Sequence, residues 1–296
     1  MNTKSKKNIY VIGTVRWKLW KYGYAVVPVL SPEEVATGKA QFHAWQDANP
    51  ALKAQHRRID PHGILKYGGA GTTRFAMETK LKDSVQAPFR EIWGTPFLVT
   101  SMDGCCYIEP DAPKSLRGWV HTDQAPNCEG LACVQGYVSY TTNTERTIIL
   151  YEGSHRLHAN YFAERGIKSS KNWQLIDEAY LETIADLKRV VHVNAGEMVL
   201  WDSRTFHMGG NLEVGEERLV QYVCFLPRHS EENTETEQAK RKKYFTERRT
   251  TSHWPYRLKV NSAQPHTFGN TENMIDVDAL VHDDLSDITE AILRML

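Results

Sequence analysis

Cysteine is scarce in this chain and badly spaced for structural work. The five thiols, Cys105, Cys106, Cys128, Cys133 and Cys224, are odd in number and contain no CxxC pair. Neither a disulfide framework nor a thiolate zinc site therefore organises the chain, and reduced thiols in a cytoplasmic setting are expected. Long apolar runs are missing too. Nothing approaches the roughly 20 residues of a membrane span, and the basic start at Lys4, Lys6 and Lys7 lacks the apolar stretch of a signal peptide behind it. No membrane partner is expected. Net charge is absent, because 36 Lys and Arg balance 36 Asp and Glu. No global field recruits nucleic acid, and aromatic–basic interleaving is also lacking, so no nucleic-acid partner is expected. The glycine-rich stretch Gly68-Gly69-Ala70-Gly71 has neither the spacing nor the Lys-Ser/Thr of a phosphate loop; it reads as the flexible part of a loop.

What is present is the composition of a globular domain, 41% apolar and 24% charged over 296 residues. A single domain over 1–296 is expected. It would have helices and a strand over 9–96, a β core over about 97–228 and a helical extension over 229–296. Residues 16–23 read as a short helix stopped by Gly23, and 24–30 as a strand. Ser31-Pro32-Glu33-Glu34 is a helix start, with an N-cap hydroxyl, proline at N1 and early acids. A second helix follows in the fifties, and a third over 78–93 with a break near Pro88. From residue 97 short strands separated by turns take over, at 97–100, 105–108, 118–121, 131–140, 147–151, 189–193, 197–201 and 218–226. At least seven of them argue for a double-sheet jelly roll, interrupted by a helical insert over 172–188. Residues 231–249 carry acids first and bases last, as one exposed helix would, with Lys240-Arg241-Lys242-Lys243 a solvated face. Residues 284–296 form an amphipathic helix whose partner, the barrel or a second subunit, is open, as is the oligomeric state.

The chemistry sits in Trp119-Val-His-Thr-Asp123. On a strand end, the period of two points His121 and Asp123 to one face, where a nitrogen and a carboxylate oxygen can share an ion. His207 is a second imidazole far downstream. Two His and one carboxylate with open positions form the facial triad of non-haem Fe(II) sites. Eleven residues on, Arg218 opens an alternating strand with Val220, Tyr222 and Cys224 on its face. An inward guanidinium in a jelly roll is costly unless an anion meets it, so a co-substrate with a distal carboxylate is its natural partner.

With these residues in place, the sequence resembles the phytanoyl-CoA dioxygenase-like family of Fe(II)/2-oxoglutarate-dependent oxygenases over roughly 20–228. The resemblance rests on His121-Thr122-Asp123, on His207 followed at that spacing by Arg218, and on Glu152-Gly153-Ser154-His155 in place of the family's Pro-Gly-Ser-His. It implies a double-stranded β-helix, mainly β with packing helices and cupin-like. It also implies Fe(II) held by His121, Asp123 and His207, with 2-oxoglutarate on Arg218 and dioxygen as oxidant. The reaction implied is hydroxylation of a C–H bond of a small organic molecule, with release of succinate and CO2. Asp123 argues against halogenation, since related halogenases carry a small residue there. One departure is Gly209, where many relatives have Ser or Thr contacting the co-substrate. Tyr107 is a candidate to supply the missing hydroxyl, the alternative being a packed aromatic. Gln135 and Gln124 are further candidates for substrate or co-substrate contact. Arg204 is another at the pocket mouth, with a salt bridge to Asp202 or Glu197 as the alternative. The substrate is expected to enter among the N-terminal helices, the Gly68–Gly71 loop and residues 152–175. Rival readings are a cupin-type metalloenzyme that does not use 2-oxoglutarate, a protein-modifying hydroxylase, and a non-catalytic jelly-roll binding protein.

Overall fold

The structure, a computed structural model, describes residues 11–59, 62–113, 118–210, 215–267 and 269–296. Helix α1 (Val15–Tyr22) starts on the Thr14 hydroxyl, which accepts from the Trp17 N–H, and ends at Gly23 in the left-handed region, φ +83°. A Cβ there would meet His155 Nδ1 at 2.6 Å and Thr205 Oγ1 at 2.8 Å, so the turn needs glycine for both conformation and space. Strand β1 (Tyr24–Pro28) leads into α2 (Pro32–Ala48), which opens on the expected Ser31–Glu34 capping box. Then come α3 (Pro50–Ile59), β2 (Ile64–Leu65), α4 (Arg74–Leu81) and α5 (Asp83–Trp93). The helix break falls at Lys82, not at Pro88, which α5 accommodates. The Gln86 amide caps the interruption by donating to Lys80 O at 2.9 Å and Leu81 O at 3.5 Å.

The β region contains β3 (Leu98–Thr100), β4 (Cys105–Ile108), β5 (His121–Thr122), β6 (Val134–Ser139) and β7 (Ile148–Tyr151). Helix α6 (His158–Glu164), β8 (Gln174–Leu175), α7 (Glu178–Thr183), β9 (Lys188–Val190), β10 (Glu197–Asp202), β11 (His207–Gly209) and β12 (Arg218–Pro227) follow, then α8 (Glu235–Thr246) and α9 (Thr289–Leu293). The larger sheet runs β1-β10-β6-β12-β4-β2 with β3 also on β12; the smaller runs β8-β5-β11-β7-β9. All pairs are antiparallel. From β4 to β7, and again from β10 to β12, successive strands alternate between the two sheets. That alternation is the winding of a double-stranded β-helix.

Two cores follow from the period of two along each strand. Between the sheets lie Cys106, Tyr137, Val199, Trp201 and Val220 from the larger and Ile148 and Leu150 from the smaller. The outer face of the larger sheet, with Val138, Leu200, Leu219, Val223 and Phe225, is covered by α1, α2, α4 and α5 through Leu19, Phe42, Phe75 and Phe89. Truncating any of these buried Phe to Ala would cost about 3–5 kcal/mol. Through this packing the helices hold the larger sheet from behind and leave its inner face to the site.

Several expectations are corrected. Gly68 to Gly71 is buried, not flexible: a Cβ on Gly71 would lie 2.0 Å from Met102 O. These glycines serve close backbone approach. The insert at 172–188 is only partly helical, since it contributes β8 as well as α7. Arg241 is not on a solvated face but fully buried, donating to Leu296 O, Pro255 O and Asn233 Oδ1. Leu285, Ile292 and Leu296 pack on Met77, Met102 and Phe245 of the same chain, which answers the question left open for the last helix. Among the described residues, no helix is long and apolar enough to cross a membrane, and all five cysteines are free.

Candidate active site

β5 and β11 pair antiparallel with His207 directly opposite His121. Directly paired residues share a face, so the register alone brings the imidazoles together, ring centroids 4.4 Å apart. Asp123 lies just past the end of β5, its backbone N–H held by Ser203 O at 2.9 Å. That bond turns its carboxylate back towards the histidines: Oδ2 is 3.4 Å from His121 Nε2 and 3.3 Å from His207 Nε2. Donor atoms of all three lie within 4.8 Å of one another, and all three residues are buried. Each Nδ1 faces a carbonyl, His121 that of Trp119 at 3.0 Å and His207 that of Thr205 at 2.8 Å. With Nδ1 donating, each Nε2 keeps its lone pair for a metal. Burial opposes the charge on Asp123, but His121 and His207 outweigh it and hold the carboxyl well below its ordinary range. Burial, reinforced by His121, pushes the His207 imidazole down towards its neutral, ligating form. A neutral imidazole beside an ionised carboxylate is what a divalent cation requires.

The supports of this cluster are local and readable. Gly153 turns at φ +78° so that Ser154 Oγ can accept from the Phe206 N–H at 2.8 Å, fixing the residue before His207. His155 belongs to the scaffold and faces Trp20 O at 3.0 Å. Gly209 has a reason to lack a side chain. A Cβ there would stand 3.3 Å from Trp119 Cζ2 and 3.4 Å from Arg218 Nη1, and the Trp119 indole donates to Gly209 O at 3.2 Å. The indole fills the space a Ser or Thr would need.

His121, Asp123, His207, Arg218 and Gln135 line one cavity of about 320 Å³. Arg218 is 3% exposed. Among the described residues its Nη1 reaches Gly210 O only at 3.5 Å, the Tyr137 phenol lies beside it, and its Nε has no partner. No carboxylate pairs with it among the described residues. Trp201 Nε1, also buried in the cavity wall, likewise has no acceptor. Buried donors without acceptors are rare and costly. Two of them beside the His121-Asp123-His207 cluster fit an anionic ligand that would chelate a metal held there and reach Arg218. A dicarboxylate such as 2-oxoglutarate meets that description.

Three of the other candidates lie elsewhere. Tyr107 pairs with Leu219, one residue out of phase with Arg218, so its ring falls on the helix side, 5.0 Å from Phe42 and 5.7 Å from His43. The phenol near Arg218 is Tyr137, whose ring lies 5.6 Å from the guanidinium carbon and whose hydroxyl is 3.2 Å from Thr147 Oγ1. Gln124 is fully buried as a loop tie: its amide donates to Cys128 O at 2.8 Å and Gly130 O at 2.7 Å and accepts from Ser203 Oγ at 2.8 Å. Arg204 forms the alternative salt bridge, bidentate with Asp202 at 2.9 and 2.6 Å. Gln135 does face the cavity and meets His253 Nε2 at 3.2 Å.

The cavity also contains residues that sequence reasoning missed: Asp103, Trp173, Trp201, and Thr251, Ser252, His253 and Asn261 from the C-terminal extension. Of the expected entry, Trp173 is present but the Gly68–Gly71 loop is not. Residues 251–261 have no periodicity that would have placed them. Asp103 precedes a glycine and reads as an ordinary turn.

No protein-family model matches the chain. It is 27% identical over 224 residues to Ava biosynthesis cluster protein O of Aspergillus versicolor, covering 69% of this chain and 70% of that protein. Among solved structures it is similar to EctD from S. alaskensis with bound Fe, at 15% identity and a TM-score of 0.52, covering 74% of this chain and 79% of that one. The non-heme monooxygenase ThoJ in its apo form is similar at 15% identity and a TM-score of 0.51, covering 73% and 78%. At these identities the likeness is one of fold. The fold is the double-stranded β-helix. In such a barrel a metal between the sheets is shielded by their side chains, and here Trp119, stacked on His121 at 4.8 Å and 17°, covers one side of the histidine pair.

Proposed function

We propose that this chain is an Fe(II)/2-oxoglutarate-dependent oxygenase of the phytanoyl-CoA dioxygenase-like type that hydroxylates a C–H bond of a small organic molecule. The observation that carries this reading is a buried His121-Asp123-His207 cluster sharing its cavity with Arg218, a buried guanidinium with no carboxylate partner among the described residues. When bound, Fe(II) with 2-oxoglutarate and dioxygen supplies the oxidising chemistry, converting C–H to C–OH with release of succinate and CO2.

The protein's part is geometry and exclusion of water. His121 and His207 would hold the metal through Nε2 and Asp123 through a carboxylate oxygen. Arg218 would hold the far carboxylate of the co-substrate, with the Tyr137 phenol beside it, and so orient the molecule in the cavity. Trp119 and Trp201 wall the histidines from solvent. A small-molecule substrate is in keeping with the enclosed cavity and with likeness to a protein named for a biosynthesis cluster.

Anaerobic titration with Fe(II) and then 2-oxoglutarate tests the reading. A visible charge-transfer band in the wild type that is lost in His207→Ala supports it, as does 2-oxoglutarate-dependent succinate formation in air. A folded wild-type protein that gives no band sinks the reading.

A further inference from the structure

Asp103 is the one carboxylate of the cavity outside the metal cluster, and it is 3% exposed. Its carbonyl and one carboxylate oxygen are already engaged. Its carbonyl accepts from Gln221 Nε2 at 3.2 Å and from Lys80 Nζ at 3.4 Å, and its Oδ1 accepts from Ser101 Oγ at 2.8 Å. No described residue donates to Oδ2. Asp103 lines the cavity, so this oxygen is free to accept a donor brought in by a ligand.

The charge around it indicates what kind of donor is missing. Lys80 is fully buried beneath Asp103; burial lowers its pKa to about 8, so at neutral pH it remains largely an ammonium. Burial pushes the Asp103 carboxyl up towards its neutral form, against His253 and Lys80, and an incoming cation would face Lys80. A neutral hydroxyl meets no such opposition. Nearby, Asn261 spends its amide nitrogen on Thr251 O at 3.1 Å, leaving its oxygen as another acceptor on a cavity residue. The wall is aromatic. Trp173 is 50% exposed, 5.6 Å from His121 by ring centroids, and lines the cavity together with Trp201 and Tyr222. Half-exposed indole at a cavity mouth suits stacking on a ring.

We infer that the cavity takes a neutral, ring-bearing small molecule and that Asp103 selects it by accepting a hydrogen bond from a hydroxyl on that ring. Calling this molecule the substrate rests on the oxygenase reading; the binding itself does not.

The test uses three probes on one ring: 2-naphthol, 2-methoxynaphthalene and 2-naphthylmethylamine. Each is titrated calorimetrically into the full-length protein, once metal-free and once loaded anaerobically with Fe(II) and 2-oxoglutarate. In the wild type, 2-naphthol should bind about tenfold tighter than its methyl ether, the worth of one hydrogen bond, and the ammonium probe should bind more weakly than 2-naphthol. In Asp103→Asn, where Ser101 keeps the amide oxygen and the amide nitrogen replaces Oδ2, the naphthol preference should vanish or invert. Equal binding of naphthol and ether by the wild type overturns the inference without any variant. So does tighter binding of the ammonium probe, failure of all three probes to bind, or an unchanged preference in a folded Asp103→Asn. The charge-transfer band, read in the same loaded samples, decides the oxygenase reading separately.

Discussion

Replacing Arg218 by Met should separate function from stability with opposite signs. Arg218 is 3% exposed, its Nε is unpartnered, and Gly210 O stands 3.5 Å from Nη1. Among the described residues, then, it is a buried charge with no carboxylate partner, held by the Tyr137 phenol and neighbouring polar groups. Exchanging such a charge for an apolar side chain of similar length is often stabilising by about 1–3 kcal/mol. Unfolding in urea without 2-oxoglutarate should show an increase of that size, with an unchanged m-value. Co-substrate binding should move the other way. Losing one partner of a buried charge pair costs about 3 kcal/mol, roughly a 150-fold rise in Kd. The assay is anaerobic 2-oxoglutarate titration of the Fe(II) protein, with Fe(II) affinity as control, since the metal ligands are untouched. Linkage gives a second readout. At about 100 times its Kd, 2-oxoglutarate should stabilise the wild type by about 2.7 kcal/mol and the variant far less at the same concentration. Wild-type co-substrate affinity in Arg218→Met would refute the clamp. A loss of about 3 kcal/mol or more in the metal-free variant would refute the claim that the guanidinium lacks a carboxylate partner.

Tyr137→Phe should raise the 2-oxoglutarate Kd several-fold, about 1 kcal/mol for one hydrogen bond, while Tyr107→Phe should leave it within twofold; the same titration reads both. Gln124→Ala should destabilise by about 2–3 kcal/mol in urea unfolding, because it orphans the carbonyls of Cys128 and Gly130 and the Ser203 hydroxyl, with unchanged co-substrate affinity in whatever remains folded. Glu216 accepts from the Thr144 hydroxyl and the N–H groups of Thr144 and Arg146, bonds that outweigh burial and bring its pKa from 4.5 to about 2. A depressed folded pKa means that the unfolded chain takes up the proton first. The contribution is whole above pH 4.5 and lost as pH falls towards 2. Discounted for partial exposure it is about 1–2 kcal/mol. The urea midpoints of Glu216→Gln and wild type should therefore differ at pH 6 and converge near pH 2–3.

The parts of the fold that were legible are those fixed by local rules. Ser31 to Glu34 carries its own cap, Gly23 its own stop, and the strands from 97 onward their own period. His121 and Asp123 were legible because two residues on a strand end must share a side, and Arg218 because an alternating strand assigns it to the inner face. The same rule, applied from the right reference point, places Tyr107 outside: it is one residue out of phase with Cys106 and Ile108, which pair with Val220 and Arg218. Sequence gives the phase within a strand but not the register between strands. Tyr107 was therefore assignable only once β4 was seen to pair with β12. The link between His121 and His207 was of the same kind, a register 86 positions long in sequence, and only the motif resemblance anticipated it.

The remaining site residues were illegible for a different reason. Asp103, His253 and Asn261 lie on segments without regular secondary structure, where no period constrains side-chain direction. What positions them is long-range packing. Thr251 N–H donates to Met102 O at 2.9 Å, Thr251 Oγ1 accepts from Met102 N–H at 3.1 Å, and the Gly71 N–H donates to the Thr250 hydroxyl at 3.0 Å. These bonds join the residue before Asp103, the buried glycine loop and the C-terminal extension. The glycines of that loop thus act on the cavity at second hand, by letting residues 250–251 approach the chain at Met102. The half of the cavity that carries the His121-Asp123-His207 cluster is built from strand register and follows general rules. The other half is built from loops held by such bonds, so its lining can change without disturbing the cluster.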